Sequence, residues 1–312
     1  MPKSWVEKNK LKRGDIINVD EGSADLVLSP NALTEGKKSK EITIEVDDKS
    51  LDLIKAEIVS AYLNNYDAID VMGKELEKHI IKVKEIVRSL TGLEIMEQTS
   101  TRLVAKDLID INDISIQNII RRMDMITRAM IDDAILCLDG KCGYQSIEHR
   151  DADVNRLYYL GFRTIKNAMG NPMIAKKLGM SNWELHSSKM VLSRIEEIAD
   201  RQKRICRFLS QVDFDDKTLK ELKDIYRNFG DSYLEVMKAY YTNDRDMAYK
   251  IEITNKDRIL ACEKFLEKCA CEGHGKKAGL YCQCVPTAKA MEYLKAMSTF
   301  IKHISRIVIS LD

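Results

Sequence analysis

SIQNIIRRMDMITRAMIDDAIL, residues Ser115 to Leu136, is the stretch whose reading decides the fold class. Ile116, Ile119, Ile120, Met123, Ile126, Met130 and Ala134 recur at intervals of three and four, so one apolar stripe of a helix faces a neighbour. Two further segments of the same kind follow before Leu209, predicted at 144–168 and 181–210. Between the three, Gly140 to Gly143 and Gly170 to Ser181 read as turns, and Ser181 is placed as an N-cap.

Working outward, the breakers say the same of most of the chain. No proline falls between Asn31 and Asn171, and Lys37 to Met72, Leu93 to Asp139, Met180 to Phe229 and Asp231 to Glu272 lack both Gly and Pro. Stretches of that length without a breaker predict helices. The remaining segments are placed at 50–90, 94–106, 216–268 with a break near Thr242-Asn243, and 287–311; Gln211 to Lys217 is a turn that sets an N-cap at Asp215 or Asp216. The order of long helix, second helix opening on carboxylates, loop and third helix in 113–210 returns in 216–312, an internal repeat in which each unit buries its stripe against the other. The expected organisation is mainly α: a small β domain at 1–47, a helical connector at 49–110, and three-helix repeats at 111–212 and 213–312 forming a bundle.

Composition narrows the function classes. A chain of 312 residues exceeds what one hydrophobic core organises, and 45% hydrophobic residues supply several. Basic and acidic residues nearly cancel, 50 against 49, so contact with nucleic acid or membrane has to come from a local patch. No apolar run reaches the roughly 18 residues of a membrane span, and the start has no signal-peptide core, which predicts a cytoplasmic protein. Eight cysteines in such a chain do not make a secreted disulfide framework.

At the N-terminus the pattern changes. Ile16-Ile17-Asn18-Val19, Leu26-Val27-Leu28 and Ile42-Thr43-Ile44-Glu45-Val46 are β-branched runs parted by Gly14-Asp15, Glu21-Gly22-Ser23 and Pro30 to Gly36. So few strands cannot close a core alone, which points to a homodimer or to packing on the helices. Pro2-Lys3-Ser4-Trp5-Val6 followed by Leu11-Lys12-Arg13-Gly14-Asp15-Ile16-Ile17-Asn18-Val19 resembles the SpoVT/AbrB swapped-hairpin DNA-binding domain. That resemblance implies intertwined hairpins from two chains and DNA contact through Lys3, Lys12 and Arg13. The family carries a strand before the Pro-Lys-Ser-Trp run, and here that first strand is expected to be missing.

Asp151-Ala-Asp-Val-Asn155 and Glu196-Glu-Ile-Ala-Asp200 each set two oxygen-bearing side chains one helical turn apart on one face. On neighbouring helices the four would converge as ligands for a hard or borderline cation; the alternative is a solvated face paired with Arg150, Arg156, Arg194 and Arg201. The runs Arg150 to Tyr158 and Arg194 to Asp200 resemble the PhoU family. Glu94-Ile-Met-Glu97-Gln-Thr-Ser and Arg121-Arg122-Met123-Asp124 onward to Asp132-Asp133-Ala134 are similar to its archaeal branch, in which an AbrB-like domain precedes PhoU repeats. The resemblance covers nearly the whole chain. It implies a regulator of phosphate uptake acting through a phosphate transporter, a histidine kinase or DNA, with metal (Fe, Mn, Mg or Zn) at Asp151, Asn155, Glu196 and Asp200. Asn155 stands where the family has Asp. In the second repeat Glu252-Ile-Thr-Asn255 and His303-Ile-Ser-Arg306 lack the paired carboxylates, so no metal of the family's type is expected there.

Cys269, Cys271, His274, Cys282 and Cys284 gather four thiols and an imidazole in sixteen residues, a set able to hold Zn²⁺ tetrahedrally; free thiols or a labile disulfide are the alternatives. No phosphate-cradling Gly loop, nucleophile elbow or triad order is present, so a non-enzymatic role is expected. The competing roles are a DNA-binding regulator of phosphate homeostasis, an adaptor docking on a transporter ATPase or kinase, and a metal buffer.

Overall fold

The computed structural model describes residues 1–21, 26–30, 39–139, 143–272 and 284–311. It divides into two compact units, Met1–Glu41 and Ile42–Asp312. In the first, a short helix α1 (Lys3–Lys8) and a two-residue turn lead to strands β1 (Ile17–Glu21) and β2 (Leu26–Pro30), an antiparallel pair with Val19 opposite Leu28. α1 buries none of its residues.

The second unit opens with a sheet, which corrects the expected helical connector at 49–110. β3 (Glu41–Glu45), α2 (Leu51–Leu63), β4 (Ala68–Met72), α3 (Leu76–Arg88), β5 (Leu93–Gln98) and β6 (Arg102–Asp107) form a four-stranded sheet in the order β3-β4-β6-β5 with two helices. The run Ile42–Val46, expected in the N-terminal β domain, is an edge of this sheet. The single helix expected over 50–90 fails because Asn64 caps α2 and Asn65 adopts a left-handed conformation, φ 56°, after which Ala-Ile-Asp-Val-Met is a buried strand. A breaker-free stretch is permissive of helix and does not require it. The helix expected over 94–106 is a hairpin whose turn closes through Thr99 N donating to Arg102 O at 2.7 Å, with a bulge at Ile95/Glu97 that leaves Met96 outside. Gly73, φ 149°, strains any side chain placed there: a Cβ would meet Asp47 Oδ1 at 2.5 Å, and that carboxylate accepts from Glu75 N at the start of α3.

The bundle matches the expected repeats. α4 (Ile116–Leu138), α5 (Tyr144–Gly170), α7 (Asn182–Leu209), α8 (Asp216–Thr242), α9 (Arg245–Glu272) and α10 (Cys284–Ile309) are two sets of three, with a short α6 (Pro172–Lys177) inside the turn expected after Gly170. The stripe of α4 from Ile116 to Ala134 is buried except at Ile126, which is half-buried. Ser181 forms a capping box with Glu184, Asp215 caps α8, and the break at Asn243 is a left-handed C-cap. One core runs through all six long helices, and a second lies between the sheet, α2 and α3, with Tyr159 of α5 packed on it. Among the described residues no helix is long and apolar enough to cross a membrane.

The two cores of the second unit are joined by a polar clamp. Arg163 of α5, 3% exposed, pairs with the buried Asp107, donates from Nε to Asn65 Oδ1 at 2.7 Å, and stacks 4.5 Å from the Tyr62 ring centre. Lys166 reaches Asn64 Oδ1 at 2.6 Å beside it.

Candidate functional site

α5 and α7 lie side by side, and the spacing of four in each sets Asp151 and Asn155, and Glu196 and Asp200, on facing stripes. Asn155 contacts Asp151, and Glu196 feels the charges of Asp151 and Asp200. Asp151, 5% exposed, accepts from Asn155 Nδ2 at 3.3 Å and from Lys203 Nζ at 2.5 Å. The same ammonium lies 3.4 Å from Asp200, which also takes Arg201 Nη1 and Arg204 Nε at 2.7 Å each. Three cations therefore share two carboxylates.

Their titration follows from this arrangement. Burial raises Asp151 above the ordinary carboxylate value, opposed by the bond to Lys203. Burial also works to raise Asp200, but Arg204, Lys203 and Arg201 outweigh it and hold the group low. Glu196 has burial first and then the charges of Asp200, Asp151 and Glu197 against it, and is pushed up to about 7. Lys203 loses charge stability to burial and regains more from Asp151, so it stays protonated.

The family-type metal does not fit this donor set. Asn155 turns its amide nitrogen, a donor, toward Asp151, and Lys203 holds the place between the carboxylates that a cation would take. Among the described residues no three His, Cys, Asp or Glu side chains gather as a metal needs. Of the arginines expected to pair here, Arg201 does; Arg194 goes to Glu197 and Arg150 to Asp133. Lys203 and Arg204, not among the expected partners, stand at i+3 and i+4 from Asp200, the spacing that places a base against an acid on one helix face.

The second repeat inverts the chemistry. Glu252 of α9 is held by Lys302 and Arg306 of α10. Arg258, 5% exposed, gives its guanidinium to Ser298, Ser232 and Thr254 hydroxyls at 3.0–3.1 Å and to the Ile251 carbonyl at 3.0 Å. No spacing rule in the sequence marks Arg258. Asp124 of α4, also buried, takes Arg128 bidentately and the Tyr241 hydroxyl at 2.9 Å.

Lys3 opens α1 with its side chain 92% exposed, and Lys12 and Arg13 stand exposed in the turn before β1, where Lys12 N donates to Asp15 Oδ2 at 2.6 Å. His274 and Cys282, with the side chains of Cys271 and Cys284, lie outside the described residues, so the zinc expectation does too; Cys269 is half-buried on α9.

No protein-family model and no curated protein matches the chain. Among solved structures it is similar to PhoU from Pseudomonas aeruginosa, with a TM-score of 0.55 and 14% identity over 62% of this chain and 93% of that one. The fold is therefore a PhoU-like helical bundle, here preceded by an α/β sheet layer and an N-terminal hairpin unit.

Proposed function

We propose that the chain is a non-catalytic regulator of phosphate uptake. The bundle is its sensing and docking body, and the N-terminal unit dimerises with a second copy and contacts DNA. The observation that carries this reading is the PhoU-like bundle, matched over nearly the whole length of the solved protein. The N-terminal unit supports the DNA arm: Ile16, Val19 and Leu26 are exposed on its hairpin, and Lys3, Lys12 and Arg13 face solvent. Two strands without a core are marginal in water, so apolar surface from a second copy is the expected stabiliser.

The test is duplex DNA binding by the full chain across a salt series. Lys12→Ala with Arg13→Ala should lower the salt slope by about two. No binding at low salt removes the DNA arm and leaves an adaptor that docks on a transporter ATPase or a histidine kinase. Uptake that remains phosphate-responsive after deletion of the gene removes the regulatory reading itself. Lys203 takes the place of a divalent or trivalent metal at the acidic cluster; stoichiometric metal in protein purified without chelator, lost on Glu196→Ala with Asp200→Ala, would overturn that.

A further inference from the structure

Along the seam where α7 packs on α10, guanidinium groups and rings alternate. Arg194 lies over Phe300 at 5.5 Å, Arg201 over Phe300 at 5.8 Å and Tyr293 at 5.4 Å, and Arg204 over Tyr293 at 5.9 Å. Tyr293 stacks on Phe208 at 5.9 Å, and Lys289 covers Phe208 at 5.0 Å. Arg194, Arg201 and Arg204 fall on one face of α7, about 10 Å and then about 5 Å apart along the axis. Their side chains are 29%, 27% and 48% exposed. Arg194 bonds Glu197, Arg201 bonds Asp200, and Arg204 bonds Asp200 and Tyr293, while a guanidinium carries five donors.

We infer that this row is a docking surface for an acidic polypeptide segment, one whose carboxylates repeat at two-turn spacing and meet the edges of Arg194, Arg201 and Arg204. Stacking on a ring fixes the plane of a guanidinium, so its edge donors are set in advance for a planar carboxylate and little side-chain entropy is lost on binding. Charge favours the same partner: with Lys203 taken up by Asp151 and Glu292 by Lys295, Arg194, Arg201, Arg204 and Lys289 still outnumber Glu197 and Asp200 along the row. Two other anions fit less well. A single-stranded nucleic acid gains its affinity by stacking bases on open rings, and the rings here are already covered. A free phosphate wants donors converging on one point, and these are strung along a line. The inference rests on the side chains of this seam and not on the phosphate reading.

The experiment uses the full chain and a labelled helical Ala-based peptide bearing Glu at seven-residue intervals, with its Gln counterpart, an oligothymidylate and inorganic phosphate as comparison arms. The Glu peptide should bind and the Gln peptide should not. Arg194→Lys, Arg201→Lys and Arg204→Lys together keep the charge, and they should weaken peptide binding about tenfold because the forked, stacked geometry is lost. Lys12→Ala with Arg13→Ala should leave it unchanged, which separates this surface from the N-terminal unit. A triple lysine variant that is folded by circular dichroism and binds the peptide as tightly as the parent overturns the inference. So does oligothymidylate binding that falls with the triple variant while peptide binding does not, or an absence of peptide binding at low salt.

Discussion

Lys203→Met keeps the length of the side chain and removes only its ammonium. In the folded chain that ammonium lies 2.5 Å from Asp151 and 3.4 Å from Asp200, and the Asp151 side chain is 7% exposed. Asp200 keeps Arg201 and Arg204, so the loss falls on Asp151. Removing one partner of a buried pair costs about 3–5 kcal/mol. The loss also depends on pH, with a sign fixed by linkage. Burial already raises Asp151 above its ordinary value, and without Lys203 it rises further. A carboxyl raised in the folded state binds more protons folded than unfolded, so stability falls as pH climbs through that window and is level above it. The deficit should be complete near pH 8 and smaller near pH 5, where protonation relieves the buried charge. Asp151→Asn in the same background removes the ionisable group and should recover most of it. Urea unfolding read through Trp183 on α7, in a Trp5→Phe background, follows the bundle. A deficit below about 1 kcal/mol, one equal at both pH values, or one that Asp151→Asn leaves untouched would refute the reasoning.

Glu196 offers a second pH test: with its carboxyl pushed up to about 7, the parent should lose stability as pH rises from the usual 4.5 to that value. Because the group is partly solvated, Glu196→Gln should flatten that slope and gain about 1–2 kcal/mol near pH 8, measured by the same urea titrations. Gly73→Ala should cost about 2–4 kcal/mol and expose α3 to amide exchange, since it strains φ and displaces Asp47 from the first turn of that helix. Arg163→Met strands Asp107 in the interior; about 3–5 kcal/mol should be lost, and limited proteolysis should separate residues 42–107 from the bundle.

The sequence is most readable where one period persists. Ile116 to Ala134 keeps a stripe for about five turns, and Ser181 and Asp215 announce their helices by chemistry that acts within four residues. The sheet layer is misread because its signals are short and non-local. Ala68 to Met72 is five residues long and becomes a strand only by lying beside Arg102 to Lys106, some thirty residues away. The acidic cluster is half legible. Spacing brings Asp151 and Glu196 to facing stripes, yet the sequence does not say which cation neutralises them, because a lysine one turn away and a metal satisfy the same carboxylates. Arg258 is invisible for a related reason: its partners Ser232, Thr254 and Ser298 come from three helices and carry no charge to suggest a pairing.

α5 is a rod of 27 residues, about 40 Å long, that is fastened at two heights. Arg163 ties it to the sheet through Asp107 and Asn65, and Asp151, three turns away, ties it to α7 through Lys203. A tilt of about three degrees about the first fastening carries the second sideways by about 1 Å, because some 18 Å of stiff helix lies between them. An ammonium held at 2.5 Å does not survive that displacement without letting go of one carboxylate. Strain applied to the α/β layer is thus delivered, undiluted, to the charge balance of the bundle.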